Sequence, residues 1–441
     1  MQYKIATLLA SLFLGANAYA QDFSNVPITD GFDAMMQRAE KENPNFRRDL
    51  NALNTDISKK TAVMLQIANK TTAIKEVPVI FHVVLSSSQM NQIGGTAGVE
   101  ERIQSQLNAL NDDFNATNAD KATIPAEFKS LYGNVGIHFA LAHKDPQGNY
   151  TPGYEIVSTT KNGFDVQSGT MGSKFACSDA KFKSSGGADA WDTKRYVNIW
   201  VINITPAGVG GVGTPPPYAV YGGTSHFPWN EQGIAIAYFA FGKKTQSGQY
   251  FPAQSAKNGR TLVHEMGHYF NLFHPFGMST MNNTNCTDDD GVSDTPLESG
   301  PVQSTCPNFP LLDKCTNTFP GVMFMNHMDY TADTCRTMFT LEQAARVNVE
   351  LQTNGYRETL FNNDDLINFW PQSVADMNGA TKVSLYPNPA NNSCIIDYKE
   401  TPSKIVVLNS LGQIVKSLQK IGSKNTTIDL SEVVAGNYIV K

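Results

Sequence analysis

Three histidines and one glutamate carry the first chemical signal in this sequence. His264 and His268 stand four residues apart, so a helix would set both imidazoles on one face, able to share a metal ion. Glu265, about 100° further round such a helix, would hold a metal-bound water without being a ligand itself. His274 follows six residues after His268, an offset that a continuing helix would carry to the wrong side. The chain must therefore turn between them, and Asn271 tolerates the left-handed conformation that ends helices. Three imidazoles with water in the fourth position form the ligand set of catalytic rather than structural zinc. The competing reading is an amphipathic helix with chance histidines. Against it, the chain has only eight His, and three fall in one eleven-residue window.

The rest of the chain must build and deliver that helix. Its 441 residues, 41% hydrophobic and 10% aromatic, are enough for two or three domains, each with its own core. The net charge of −6 and the lack of a long basic run give no footing for nucleic acid as a partner. Residues 1–20 read as a signal peptide: Lys4, an apolar run from Ile5 to Gly15, then Ala18-Tyr19-Ala20 with small residues at the cleavage positions. That run is too short to span a bilayer, so an exported chain with no transmembrane segment in its mature form is expected. Export allows cysteines to be oxidised, and four of the six (Cys286, Cys306, Cys315, Cys335) crowd the region after the histidine helix. Four cysteines allow three pairings.

Residues 21–75 are polar, with a helical patch at Phe32–Met36, and read as a propeptide, a simple N-terminal extension being the plain alternative. They contain no Cys to cap a zinc, but a carboxylate such as Asp22, Asp30 or Asp33 could fill its fourth position. No strand signal precedes Lys75. Val77–Leu85 is β-branched and apolar, a buried strand in which His82 is a core residue. Val99, Ile103, Leu107, Leu110 and Phe114 recur at helical spacing. Ile137–Ala142, Tyr196–Ile202 and Gly233–Tyr238 read as strands, the last with an edge free for an extended peptide. Gly208–Gly223, rich in Gly and Pro, reads as a loop. Thr340-Leu341-Glu342-Gln343 has the form of a capping box. From Lys382 on, short alternating segments (Cys394–Ile396, Ile405–Leu408, Tyr438–Val440) suggest a small β-sandwich.

The histidine helix, followed by Asn326-His327-Met328-Asp329-Tyr330 and Phe339-Thr340-Leu341-Glu342-Gln343, resembles the pappalysin family of metzincin metalloproteases, in particular its mirolysin- and ulilysin-like members. Separately, Tyr386-Pro387-Asn388-Pro389-Ala390 and Ala435–Val440 resemble the sorting domain of type IX secretion. The resemblance implies an α+β catalytic domain over 76–372: a twisted mixed sheet plus the zinc helix, then an irregular disulfide-bonded subdomain. A small all-β sandwich, the sorting domain, follows over 380–441. It also implies that Met328 is a hydrophobic floor beneath the zinc, and that Tyr330 aims its phenol at the site to help hold an oxyanion. Interlaced disulfides, Cys286–Cys315 and Cys306–Cys335, are implied in the same way. Each would close a loop of about thirty residues, worth on the order of 3–4 kcal/mol in the loop-entropy account. Cys177 and Cys394 are left unpaired. The family binds calcium in the acidic loop, where Asp290, Val292, Thr295 and Glu298 match; hard oxygen donors at this density suit Ca2+, and a solvated loop is the plain alternative.

Together these features predict a zymogen: an exported zinc endopeptidase, secreted or held at the outer cell surface, that meets protein substrates and the type IX secretion machinery. Glu265 would be its general base. Two other readings are an adhesion protein with a structural zinc, for which Glu265 has no use, and a zinc hydrolase of a non-peptide amide. Relatives of this type cut beside basic residues, which needs a carboxylate near the site. Asp333 could supply it, but Arg336 would cancel it unless its side chain points to solvent.

Overall fold

The structure is a computed structural model that describes residues 28–68, 74–167, 176–217, 227–243, 256–277, 283, 285–303, 305–369 and, in segments, 383–440. The signal-peptide stretch 1–20, Asp22 and residues 218–223 lie outside the described residues. Two compact units divide the chain at Phe369 and Trp370.

In chain order the first unit has strands β1 (Thr29–Asp30), β2 (Lys75–Leu85), β3 (Ile137–Leu141), β4 (Tyr154–Ser158), β5 (Phe164–Asp165), β6 (Val197–Ile202), β7 (Ile204–Thr205), β8 (Val209–Gly213) and β9 (Ile234–Ala237). Its helices are α1 (Phe32–Glu42), α2 (Phe46–Ala68), α3 (Ser87–Gln92), α4 (Gly95–Phe114), α5 (Arg260–Tyr269), α6 (Leu341–Glu350) and α7 (Asp364–Ile367). β5 and β7 pair with each other; the remaining strands form one sheet in the order β1-β8-β9-β6-β2-β3, with β4 also on β2. All pairings in this sheet are parallel except β8 with β9. β2 is apolar on both faces because both are covered, as parallel strands require. His82 is a core residue within it, its ring nitrogens 2.6 Å from Glu155 and 2.9 Å from Asn198.

α4 turns Val99, Ile103, Leu107, Leu110 and Phe114 inward. It is fastened to the start of α5 by Arg260, whose guanidinium donates to both oxygens of Asp113 (2.9 and 3.0 Å) and both of Asp120 (2.6 and 2.7 Å). α6 begins with a capping box between Thr340 and Gln343. The Gln343 amide also exchanges hydrogen bonds with Asn326 (2.9 and 3.1 Å), so this cap positions the turn before Met328. Cys286 is bonded to Cys315 and Cys306 to Cys335; Cys177 and Cys394 are free and buried.

The second unit has strands β10 (Val383–Tyr386), β11 (Ser393–Tyr398), β12 (Ile405–Asn409), β13 (Ile414–Leu418), β14 (Asn425–Asp429) and β15 (Tyr438–Val440). They form two antiparallel three-stranded sheets, β10-β11-β14 and β13-β12-β15. Cys394, Ile396, Tyr398, Ile405, Val407 and Ile428 pack between them.

Three expectations need correction. The Gly-rich stretch from Gly208 is not all loop, since Val209–Gly213 is a strand. Its glycines are there for close approach: a Cβ on Gly211 would stand 2.6 Å from Glu265 Cγ, and one on Gly213 would stand 2.3 Å from the Glu265 carbonyl oxygen. β9 has no free edge, because β8 covers it. A strand does precede Lys75: β1, two residues held on β8 by Thr29 N–H to Gly208 O and Gly31 N–H to Gly211 O, both 2.9 Å. A two-residue strand borrowed from a distant edge has no periodicity to read.

Gly213→Ala is expected to cost about 1–3 kcal/mol through overpacking of β8 on α5. Urea unfolding would measure it; a midpoint unchanged from wild type would show that the strand has room to shift.

Candidate metal centre and active site

α5 presents His264 and His268 on one face, and its end is shaped by the residue expected to shape it. Asn271 has φ +73°, and its amide donates to Glu350 Oε1 at 2.6 Å while Arg346 Nε donates to its carbonyl at 2.7 Å. The turn returns His274 to the two helical imidazoles. The three Nε2 atoms lie 3.0–3.2 Å apart. Asp30 Oδ2 stands 2.9 Å from each of them. Four ligands about 2.0–2.1 Å from one centre make a tetrahedron of edge about 3.3 Å, so this donor set fits zinc. The other ring nitrogens are spoken for. His264 Nδ1 is 2.7 Å from His327 O, His268 Nδ1 is 2.8 Å from Leu272 O, and His274 Nδ1 is 3.1 Å from Asp33 Oδ1. These contacts put the proton on Nδ1 of His264 and His268 and aim the Nε2 lone pair inward, as ligation requires.

Electrostatics follow from burial and from two carboxylates. Burial holds His264 down to about 3 and lowers His268. For His274 burial acts in the same direction, but the charges of Asp33 and Asp30 outweigh it and raise the ring to about 10. Burial alone would raise Asp30; the His274 charge and the hydrogen bonds from all three imidazoles hold it well below the usual carboxylate range. Glu265 is pushed well above its ordinary value, first by burial and then by the Asp30 charge. Its Oε2 accepts the Gly213 amide at 2.7 Å, while Oε1 is buried without a partner.

Met328 is buried and packs on α5 where Gly267 leaves room, since a Cβ there would be 2.4 Å from its Sδ. Tyr330 donates its hydroxyl to Asp30 Oδ1 at 2.5 Å. Phe32 stacks face to face on His268, centroids 3.8 Å apart. Thus the segment ahead of residue 75 closes the site, with β1 on the sheet edge, Asp30 among the imidazoles and Phe32 over one of them. Asp33 is drawn in one step behind, and Asp30, one of three aspartates the sequence offered, is the one at the centre. A cluster of residue types close in sequence could be found by spacing. The carboxylate that completes it lies more than two hundred residues away, so its chemical type and three candidate positions could be anticipated, but not which of them reaches the centre.

In the acidic loop, Thr295 Oγ1 lies 2.9 Å from both oxygens of Asp290 and 3.3 Å from Val292 O. Both oxygens of Glu298 are buried; the Met323 backbone approaches them but makes no regular hydrogen bond. Burial and the neighbouring charges of Asp329, Asp313 and Asp290 push Glu298 well up. Burial raises Asp290 to about 8 and Asp329 to about 7. Asp290 with a hydroxyl and a carbonyl close by, and Glu298 near enough to feel its charge, are hard oxygen donors of the kind that suits calcium.

Residues 182–352 match the family model described as pregnancy-associated plasma protein-A, a peptidase family, and residues 384–441 match the secretion system C-terminal sorting domain. Among solved structures, mature mirolysin from Tannerella forsythia in complex with a cleaved peptide is similar at a TM-score of 0.57 and 35% identity, over 68% of this chain and 100% of that one. A promirolysin mutant from the same organism gives 0.63 and 32%, over 77% and 100%. An extracellular metalloprotease of Arthroderma otae is 41% identical over 90 residues, 20% of this chain; the alignment spans only 30% of that relative's length.

Proposed function

Because the chain belongs to the pappalysin family of metalloproteases and carries a type IX sorting domain, we propose that it is a zinc endopeptidase made as a latent precursor. The observation that carries this reading is the convergence of three imidazole Nε2 atoms beside a buried glutamate with one oxygen unused. His264, His268 and His274 are the zinc ligands. Zinc held there supplies Lewis acidity, polarising the scissile carbonyl and acidifying the attacking water. Glu265 takes the proton of that water and delivers it to the leaving amine. The Gly213 amide holds its carboxylate in place through Oε2, leaving Oε1 for the proton. Tyr330 places its phenol beside the same centre and helps hold the oxyanion. Peptide substrates pair with the edge of β8, the last strand of the sheet once β1 is gone. The sorting domain and extracellular relatives support delivery through type IX secretion to the outside or the outer cell surface. Among the described residues no helix is long and apolar enough to cross a membrane.

Latency in this account belongs to residues 21–75. Asp30 is the fourth zinc ligand, Tyr330 and the three imidazoles hold its carboxylate, and β1 takes the strand edge that substrate needs. α2 anchors the segment over the acidic loop through Arg47 to Asp288 (3.4 Å) and Ser58 to the Gly291 carbonyl (3.1 Å). That loop binds calcium through Asp290, Val292 O, Thr295 and Glu298.

Glu265→Ala is expected to keep stoichiometric zinc by metal analysis and to lose about 10²–10⁴-fold in turnover; substantial remaining peptidase activity would remove Glu265 from the mechanism. Asp30→Ala should give a precursor that cleaves a short peptide before it is itself cut. Activity appearing only after loss of the whole segment would mean that bulk alone blocks the cleft.

A third expectation concerns calcium. Asp290 and Asp329 have folded pKa values of about 8 and about 7, above the unfolded value of about 3.9. The unfolded chain therefore gives up these protons first. The stability tied to them is full below about pH 4 and is lost as pH rises through 7 to 8. A bound dication reverses that loss. Millimolar calcium should raise the melting temperature more near pH 8 than near pH 5, and no gain near pH 8 would exclude the site.

A further inference from the structure

Arg336 lies in the wall of the active-site cavity, not at the surface. The cavity is lined by Ile28, Thr29 and Asp30 on the latent side and by Thr261, His264, Glu265, Tyr330, Thr331 and Arg336 on the enzyme side. Arg336 is only 5% exposed. Its Nη1 donates to the Asp329 carbonyl at 3.3 Å, while Nε is buried without a partner. Among the described residues no carboxylate comes within 4.0 Å of the guanidinium. The Asp333 charge is the strongest favourable influence on Arg336, but the carboxylate does not touch the guanidinium. Its Oδ2 accepts the amides of Asn258 (2.6 Å) and Arg260 (3.4 Å) at the start of α5, its Oδ1 is buried without a hydrogen-bond partner, and it does not line the cavity. Compare Arg260, one turn before His264: its guanidinium is saturated by Asp113 and Asp120. Two buried arginines thus flank the site, and one of them is left with part of its donor fork unused.

An unpaired buried guanidinium is costly unless something completes it, and a carboxylate completes it best, through two parallel hydrogen bonds. Given the protease reading above, we infer that Arg336 selects substrates by receiving a carboxylate next to the scissile bond. Its place beside Glu265 limits that carboxylate to a residue adjoining the cut. That carboxylate is either an Asp or Glu side chain or the terminal carboxylate of a short leaving fragment. A lysine or arginine in the same position would meet a fixed like charge in a desolvated cavity and be rejected. Ile28 and Thr29 of the latent segment, which line the cavity now, bring no charge to Arg336, so the selection acts only after activation.

The test uses activated enzyme and matched peptides that differ at one position: Asp against Asn and Glu against Gln beside the cut, and free against amidated C-termini. Wild type should favour the carboxylate member of one series by about tenfold or more in kcat/KM, and the series that responds identifies the source. In Arg336→Gln, which keeps a planar polar end, that ratio should fall toward one; Arg336→Lys should recover part of it. A misfolded variant would lose all cleavage together, so the wild-type ratios stand as an independent measurement. Wild-type ratios near one, a preference for Lys or Arg at the cut, or an undiminished ratio in Arg336→Gln would overturn the inference. Chelator-sensitive cleavage of any peptide keeps the protease reading intact in those cases; its complete absence would overturn both.

Discussion

Three imidazole lone pairs held about 3 Å apart in a buried pocket repel one another unless a cation sits among them, and most of this fold serves to hold them there. Protonating the rings is no escape for His264 and His268, because burial keeps them neutral. The rings are locked from behind by the carbonyls of His327 and Leu272 and by Asp33, each from a different segment. Moving any one of those segments would misaim a ligand. The Asn326–Gln343 pair and the capping box of α6 therefore matter to the metal site, although none of these residues touches it.

The same crowding accounts for the glycines of β8. A strand that must lie against α5 at Glu265 cannot carry side chains on that face, and in return its Gly213 amide fixes one oxygen of Glu265. The closeness that orients Glu265 also puts the edge of β8 beside the three histidines. Here β1 fills that edge and Asp30 stands among the three imidazoles. One short segment therefore covers the strand edge and the histidine cluster together, and the hydroxyl of Tyr330 helps hold it.

Much of this was legible in the residues. The helix spacing of His264 and His268, the turn at Asn271 and the buried strand of Val77–Leu85 follow from local rules of period and conformation, and the structure has them where those rules put them. What the sequence hid was long-range. Glycine in Val209–Gly213 looks like loop until the helix that presses on it is in view. The edge strand Thr29–Asp30 exists only because β8 offers it partners. Arg336 and Asp333, three residues apart, do feel each other's charge, but backbone amides of Asn258 and Arg260 hold one oxygen of the carboxylate, no direct ion pair forms, and Arg336 faces the cavity. In each case a local preference was overridden by a neighbour that is distant along the chain.

The most direct test of the central claim is metal analysis of the intact precursor combined with X-ray absorption at the zinc edge. The account predicts one zinc per chain, with four nitrogen or oxygen ligands at about 2.0–2.1 Å and no sulfur. A precursor that binds no stoichiometric zinc, or a zinc with a sulfur ligand near about 2.3 Å, would contradict it.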